Sequence, residues 1–487
     1  MLCNSGKAVT SASRDPQDAW RMNRRQFLKA AGAIALSLPA AGVFVGCARR
    51  ALKADGVERI LLMVCDSMRA DHLGCYRPSQ RFTPHIDAFA KSAVRFANAY
   101  AISGWTTPSN AALFTGKYPR EVRARATARL NDDARTAADC FRDAGFATAG
   151  FSAQGLVSEA TGLNQGFDTF VSEVWGDESV ATRCIEWMRA HRNERFFALL
   201  YMMRPHWPYQ PEEAGASFVV PEANVRPNIA QGWLPIDYDK RIQHVVRCPR
   251  RRREVSWPEL AYLRELYKGS IASADARVGR VLDAVSHIPK LAVVLASDHG
   301  EEWLEHDGLS HQFTLYDELL RIPLIISAPG EARMRTVQVV RTQVTSLDVM
   351  PTLLALAGIE APSGLRGMSL LPPTNLPRRP LFAEEDGWSE LGVLRYGVRL
   401  GNDVLIWNLS ALSDEPKPPE GGSFERYNLV KDLFQQHPQP LPDKTDPLLS
   451  LLHDFRKLTG KLSVPGERPV LDQQTKDALR AIGYIGR

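Results

Sequence analysis

Three continuous apolar runs constrain this chain more than anything else in it. Ile60-Leu61-Leu62-Met63-Val64-Cys65 ends at Asp66, the run from Phe196 to Tyr201 ends near His206, and the run from Leu291 to Ala296 ends at Ser297-Asp298-His299-Gly300. An apolar run without alternation predicts a strand buried on both faces, which requires helices on both sides of a parallel sheet. Helical patterning lies between the runs, as in 137–144 and 259–285. The chain is therefore predicted to be α/β: a large mixed, mainly parallel sheet sandwiched by helices. In such sheets the ligand crevice opens at the carboxyl ends of the strands. Asp66, His206 and Asp298-His299 are thus expected to meet along one edge.

Composition removes several alternatives. With 487 residues, 44% of them hydrophobic and 24% charged, the chain is neither disordered, collagenous nor a polytopic membrane protein, and it is long enough to bury a large core. The net charge is +5, but the first 47 residues hold +4 of it, through Lys7, Arg14, Arg21, Arg24, Arg25 and Lys29 against Asp15 and Asp18. The basic balance belongs to a leader and does not argue for nucleic acid. Asn23-Arg24-Arg25-Gln26-Phe27-Leu28-Lys29 precedes the apolar stretch Ala30 to Gly46, the pattern of a secretory signal. Its paired arginines resemble a twin-arginine export signal, an address read by a receptor. Phe44-Val45-Gly46-Cys47 resembles a lipobox, which makes Cys47 a candidate for lipidation and membrane attachment. The alternative, an uncleaved single span, fits poorly with Pro39 and the many small residues. The globular part is expected to be exported, periplasmic or anchored to a bacterial cell envelope.

The expected organisation is an export signal over 1–47, a main domain over 48–375 and a smaller C-terminal α+β subdomain over 376–487. The last follows from a Pro-rich stretch beyond Pro372 and short alternating strands over 393–399 and 403–408. The five cysteines beyond the leader, Cys65, Cys75, Cys140, Cys184 and Cys248, show no paired or metal-like spacing and are expected as buried thiols. Arg247 and Arg250–Arg253 read as a solvated loop, or as a contact to an anionic surface.

Asp66 alone at a strand end means little. Asp298-His299 at a second strand end makes a divalent-cation site plausible, since carboxylate and imidazole ligands suit one. Thr106-Thr107-Pro108-Ser109 reads as a helix start, with a hydroxyl just before the helix and Pro in its first turn. A hydroxyl there sits in a positive field that would also hold an anionic ester. Beside a metal it can be deprotonated and attack. The plainer reading of Thr106 is an N-cap.

Taken together these segments resemble the sulfatase family of the alkaline-phosphatase superfamily. The likeness runs over about residues 58–487. Leu61 to Gly74 is similar to the family's opening strand and metal aspartate. Thr106-Thr-Pro-Ser-Asn-Ala-Ala-Leu-Phe-Thr-Gly116 is similar to its nucleophile motif, and Arg204-Pro-His-Trp-Pro-Tyr209 to its substrate-histidine segment. Ser297-Asp-His-Gly-Glu-Glu302 with Leu315 to Ile325 resembles the second metal segment. Ser346 to Leu354, Glu425 to Leu429 and Leu479 to Ile485 resemble later segments.

The resemblance implies that Asp66, Asp298, His299 and the Thr106 oxygen hold one divalent metal (Ca, Mn, Zn or Mg), and that Thr106 is the nucleophile. It places His206 and His311 where the family binds the anionic ester and protonates the leaving group. Asn110 stands in for the motif's Arg and is expected at the ester or the nucleophile. Arg204 stands where many relatives carry Asp and is expected to supply the charge of a family lysine that has no clear counterpart near Gly150-Phe151-Ser152. Ser67 replaces a frequent second metal aspartate. Asp71 and His72 are read as tying the first loop, and His306 as structural.

Threonine cannot become the formylglycine aldehyde of sulfatases, so no formylglycine is expected. A phospho-threonine can be resolved by attack at phosphorus, where metal-clamped transition states are well supported. Family membership points to sulfate esters and the threonine to phosphate or phosphonate esters, so the expected activity is metal-dependent hydrolysis of either. The alternatives are a phospho-group transferase, or a catalytically dead relative that binds anionic glycans.

Overall fold

The computed structural model describes residues 57–487 except 125–128, 213–254, 313, 330–337, 386–393, 411–418, 441–444, 463–472, 474–475 and 477–487. The leader with Cys47, the arginines of 247–253 and Cys248 lie outside the described residues.

One eight-stranded sheet carries the fold. Its strands are β1 (Arg59–Cys65), β2 (Val94–Phe96), β3 (Ala147–Ser152), β4 (Thr169–Ser172), β5 (Phe196–Met202), β6 (Leu291–Ser297), β7 (Leu324–Ser327) and β8 (Val339–Val340), in the order β8-β2-β7-β6-β1-β5-β3-β4. The five strands from β6 to β4 run parallel. β7 is antiparallel to both of its neighbours, β6 and β2. The sheet is thus mixed and mainly parallel, as its apolar runs predict.

All seven residues of β1 are buried. Successive side chains enter opposite cores: Ile60, Leu62 and Val64 join one cluster, Leu61, Met63 and Cys65 the other. That is the period-two alternation of a strand whose two faces are both covered. Among the described residues the α-helices of seven or more residues are α1 (Pro84–Lys91), α2 (Thr106–Thr115), α3 (Ala137–Asp143), α4 (Asp177–Ala190), α5 (Trp257–Val285), α6 (Val349–Leu356) and α7 (Pro447–Leu462). Apolar residues of α2, α3 and α6 fill the first cluster, those of α1, α4 and α5 the second. α5 starts under a reciprocal cap, in which the Ser256 hydroxyl accepts from the Glu259 N–H and the Glu259 carboxylate accepts from the Ser256 N–H.

A second, antiparallel sheet of β9 (Leu381–Glu385), β10 (Arg395–Leu400), β11 (Asp403–Asn408) and β12 (Ser423–Asn428) forms the C-terminal part. α7 covers it, with Phe455 stacked on Phe382 at 4.5 Å between centroids. Leu381, Ala383, Val404, Ile406 and Tyr427 extend the first core cluster. The small sheet therefore shares its core with the large one. Cys65, Cys75, Cys140 and Cys184 are free thiols, three of them buried. Among the described residues no helix is long and apolar enough to cross a membrane.

Candidate active site

Register explains why the strand ends meet. Cys65 of β1 pairs with Met202 of β5 on one side and with Ser297 of β6 on the other. The next residues, Asp66, Met203 and Asp298, therefore leave the sheet at one level. Ser67 then takes φ of 58°, a left-handed turn that non-glycine residues rarely adopt. The turn aims the Ser67 N–H at Asp298 Oδ1 (3.2 Å) and its hydroxyl at Asp66 Oδ1 (2.9 Å). Gly300 is required by a close approach: a Cβ there would lie 2.0 Å from the Glu318 carbonyl oxygen.

α2 brings the hydroxyl. The helix begins at Thr106 itself, with extended Trp105 as its N-cap and no side-chain capping bond. The N-cap reading of Thr106 thus does not describe what its hydroxyl does. Thr106 Oγ1 instead lies 3.4 Å from His299 Nε2. Asn110, one turn on, donates from Nδ2 to Thr106 O (2.8 Å), Tyr201 Oη (3.1 Å) and Asp298 Oδ2 (3.1 Å). Its Oδ1 is buried without a partner among the described residues.

The His299 ring is oriented from behind. Nδ1 lies 2.9 Å from the Gly300 carbonyl, to which it donates, so in the neutral ring, the form that binds a metal, Nε2 presents a lone pair. That nitrogen faces Asp298 Oδ2 at 3.5 Å and Asp66 Oδ1 at 3.6 Å. Ligand atoms of Asp66, Asp298 and His299 all lie within 4.8 Å of one another. Asp66, Thr106, Asn110, His206, Asp298 and His299 are fully buried and His311 is 2% exposed. Among the described residues neither aspartate pairs with a lysine or arginine. Burial, then the Asp298 charge, pushes the Asp66 carboxyl well above the usual range, against hydrogen bonds from Gln154 and Ser67. Two buried carboxylates and a lone-pair imidazole around one point form a donor set that a divalent cation neutralises. The residues present fit such an ion.

The two further histidines pack beside this point. His311 lies 4.6 Å from His299 and 4.8 Å from His206 between ring centroids. His311 Nδ1 is 3.1 Å from Glu301 Oε1. His206 stacks on Trp207 at 5.8 Å and meets Trp175 edge-on at 6.3 Å. Burial, then a neighbouring imidazole, holds both His206 and His311 well below the usual histidine range. Burial raises the Glu301 carboxyl to about 8.

Arg204 is placed differently from its expected role. Its guanidinium pairs with buried Asp177 at 2.5 Å and with Glu212 at 3.3 Å. Two carboxylates already balance the charge that was expected to face an anionic ester. His306 Nδ1 contacts Glu318 and Nε2 contacts the Gln435 carbonyl at 2.9 Å, so both ring nitrogens are engaged in structure. Asp71 ties Arg69 and His72 together at 2.9 and 3.0 Å.

Three residues that sequence reasoning passed over complete the site. Tyr201 donates its hydroxyl to Asp298 Oδ2 at 2.6 Å. Gln154 Nε2 donates to Asp66 Oδ2 at 2.6 Å. Glu301 backs His311. The available signal was position: Tyr201 puts a polar tip at the end of an apolar run, and Glu301 follows two residues after His299. Tyr201→Phe is expected to cost about 1–3 kcal/mol of stability, because it strips a donor from a buried carboxylate. Urea denaturation of the two chains measures it, and equal midpoints and slopes would show that Asp298 does not need that hydroxyl.

The Sulfatase family profile matches residues 58–359. An N-acetylglucosamine-6-O-sulfatase of Bacteroides thetaiotaomicron is 23% identical, over 82% of this chain and 89% of its own length. Human arylsulfatase K is 25% identical over 70% of each chain. Among solved structures, the phosphonate monoester hydrolase of Agrobacterium radiobacter superposes with a TM-score of 0.63 at 18% identity, covering 83% of this chain and 95% of that one. A structure holding D-glucosamine-2-N,6-O-disulfate as its substrate gives 0.64 at 18% identity, covering 82% and 98%. These structures share the large sheet between helices. The profile match covers most of the sheet and every residue of the buried cluster, and on that ground the chain belongs to the sulfatase family.

Proposed function

We propose that this chain hydrolyses sulfuric or phosphoric (including phosphonic) esters, with Thr106 as nucleophile and one divalent metal held by Asp66, Asp298, His299 and the Thr106 oxygen. The observation that carries the proposal is the Thr106 hydroxyl, buried 3.4 Å from a lone-pair nitrogen that also faces two carboxylates. A divalent cation bound there would lower the pKa of a coordinated hydroxyl and draw charge from the ester oxygens.

The side chains supply the rest. Thr106 Oγ1 forms a bond to sulfur or phosphorus as the bond to the leaving oxygen breaks. The leaving oxygen takes a proton from His311 or His206, the histidines that line the site. Burial keeps both neutral until the negative charge of the bound ester offsets it. Asn110 fixes the first turn of α2 against Asp298, so the nucleophile arrives pre-oriented. The positive end of α2, which has no side-chain cap, favours the anionic ester. Water then attacks sulfur or phosphorus and returns the threonine hydroxyl. A threonine has no second hydroxyl with which to expel the group, so this last step sets which ester class turns over. We place the natural substrate among small or glycan anionic esters, in line with the N-acetylglucosamine-6-O-sulfatase and the glucosamine disulfate complex described above. The leader reading, with export and attachment through Cys47, stands as part of the same proposal, as does the division at 47 and 375.

A panel of nitrophenyl sulfate, phosphate, phosphodiester and phosphonate esters, with and without added divalent metal, tests this. At least one is expected to turn over only with metal present. No turnover of any of them by a chain that has bound metal would favour the glycan-binding reading instead.

A further inference from the structure

A cleft of about 570 Å³ lies apart from the buried cluster, and no residue assigned above to catalysis or metal binding lines it. Its volume is in the range of small-molecule sites. It opens on the same rim of the sheet as the candidate active site. Arg69 and Asp71 follow the end of β1, Trp303 and Glu305 follow the end of β6, and Arg321 precedes β7, which is antiparallel to β6. The opposite wall is the segment after β12. It is fastened to the core by Gln435 Oε1, which accepts from the Asp317 N–H at 2.9 Å, and by Gln436 Nε2, which donates to the Glu305 carbonyl at 2.9 Å. Asp432 braces the segment from inside, accepting from the N–H groups of Gln436 and His437 at 3.1 and 2.7 Å.

The cleft's charges are unevenly used. Each of its four carboxylates has a cationic partner: Asp71 and Glu305 share Arg69, Asp317 pairs with Arg399, and Glu318 with His306. Three of its guanidiniums, Arg77, Arg264 and Arg321, have no carboxylate partner among the described residues. Among the described residues Arg264 makes one bond, Nη2 to the Trp303 carbonyl at 2.7 Å, and Arg321 donates from Nη2 to the Ala97 carbonyl at 3.0 Å while its buried Nε has no partner. The indole N–H of Trp303, a lining residue only 1% exposed, also has no partner among the described residues. At the rim the braced segment holds Leu433 57% exposed and Phe434 65% exposed, apolar surface of the kind that marks a contact site.

We propose that this cleft binds an anionic stretch of a glycan, such as a sulfated or uronic-acid oligosaccharide. Guanidiniums match sulfate and carboxylate bidentately. The C–H face of a sugar ring packs on Phe434, and the paired carboxylates accept from sugar hydroxyls. A concave site of this volume suits an oligosaccharide better than a flat lipid surface. The choice of ligand rests on the hydrolase reading of the neighbouring site, where the same polymer would present its ester.

Binding of a heparin-derived hexasaccharide to the full chain carrying Thr106→Ala, followed by calorimetry, tests the cleft without turnover. Arg77→Glu and Arg264→Gln are each expected to weaken binding about tenfold or more. Arg77 is exposed, so its substitution does not threaten folding. Arg192→Glu changes charge equally on the opposite rim, just before β5, and is expected to leave binding intact. Phe434→Ala is expected to weaken it several-fold. Unchanged affinity in both cleft variants overturns the proposal, and so does an equal loss in Arg192→Glu. Turnover of the nitrophenyl esters, which offer the cleft no oligosaccharide, is expected to be the same in Arg264→Gln as in wild type. If wild type cleaves no ester while the cleft variants still lose the hexasaccharide, the cleft stands and the hydrolase reading fails.

Discussion

Thr106→Ala is expected to lower kcat by on the order of 10⁴-fold or more for every ester that the wild-type chain cleaves, as loss of a nucleophile does elsewhere. Such a loss can also arise in two ways that involve no attack by the hydroxyl. The first is instability, because the substitution removes a hydroxyl and a methyl group from a fully buried position. Thr106 makes no capping bond, so the cost is expected to stay near 1 kcal/mol, and the thermal midpoint should barely move. The second is loss of a metal ligand that never attacks. Thr106→Ser keeps the oxygen and is expected to retain activity within about tenfold to a hundredfold, whereas Thr106→Val keeps the shape and loses the oxygen. If Thr106→Val stays active, the nucleophile lies elsewhere. Rapid quenching of the wild-type reaction should find a sulfo or phospho group on the peptide that holds Thr106. A residue that only ligates the metal would carry neither, and which of the two is found also decides the ester class.

How far the sequence alone reaches can be judged from these same residues. The three strands were readable because a sheet covered on both faces demands unbroken apolar runs, and those runs are rare enough to stand out. Their convergence was readable because parallel strands deliver their carboxyl ends to one edge, and the observed register of Cys65, Met202 and Ser297 puts Asp66 and Asp298 side by side. The pairs of residues 302–303 and 309–310 were not readable, since a two-residue strand has no period. Gln154 and Tyr201 escaped notice for a different reason. Their hydrogen bonds to Asp66 and Asp298 cross 88 and 97 residues of chain, and nothing local distinguishes them from packing residues. Arg204 shows a limit of the opposite kind. Its charge looked available until Asp177, 27 residues earlier, proved to be its partner. Charge in a sequence is a count, whereas charge at a site is what remains after pairing.

The same principle governs the last expectation, that the chain gains stability from one bound cation and loses turnover without it. Asp66 and Asp298 are fully buried, and the imidazole between them is their sole cationic candidate among the described residues. Bringing two carboxylates into that environment opposes folding unless protons or a metal neutralise them. A chelator is therefore expected to abolish ester turnover and to lower the thermal midpoint by a few degrees, since an ion at about a hundred times its Kd contributes roughly 2.7 kcal/mol. Metal analysis of the purified chain is expected to give one tightly held ion, because His306 has both ring nitrogens committed to Glu318 and Gln435. Asp298→Asn separates a ligand role from a purely structural one. The amide still accepts from Tyr201 and removes one of the two buried charges, while its Nδ2 replaces the acceptor that Oδ1 offers to the Ser67 and His299 N–H groups. The metal-free variant should therefore melt within a few degrees of the metal-free wild type. Added metal should then no longer raise its midpoint. If instead the variant gains as much from metal as the wild type does, Asp298 does not hold the ion, and the hydroxyl at 3.4 Å from His299 loses its reason to react.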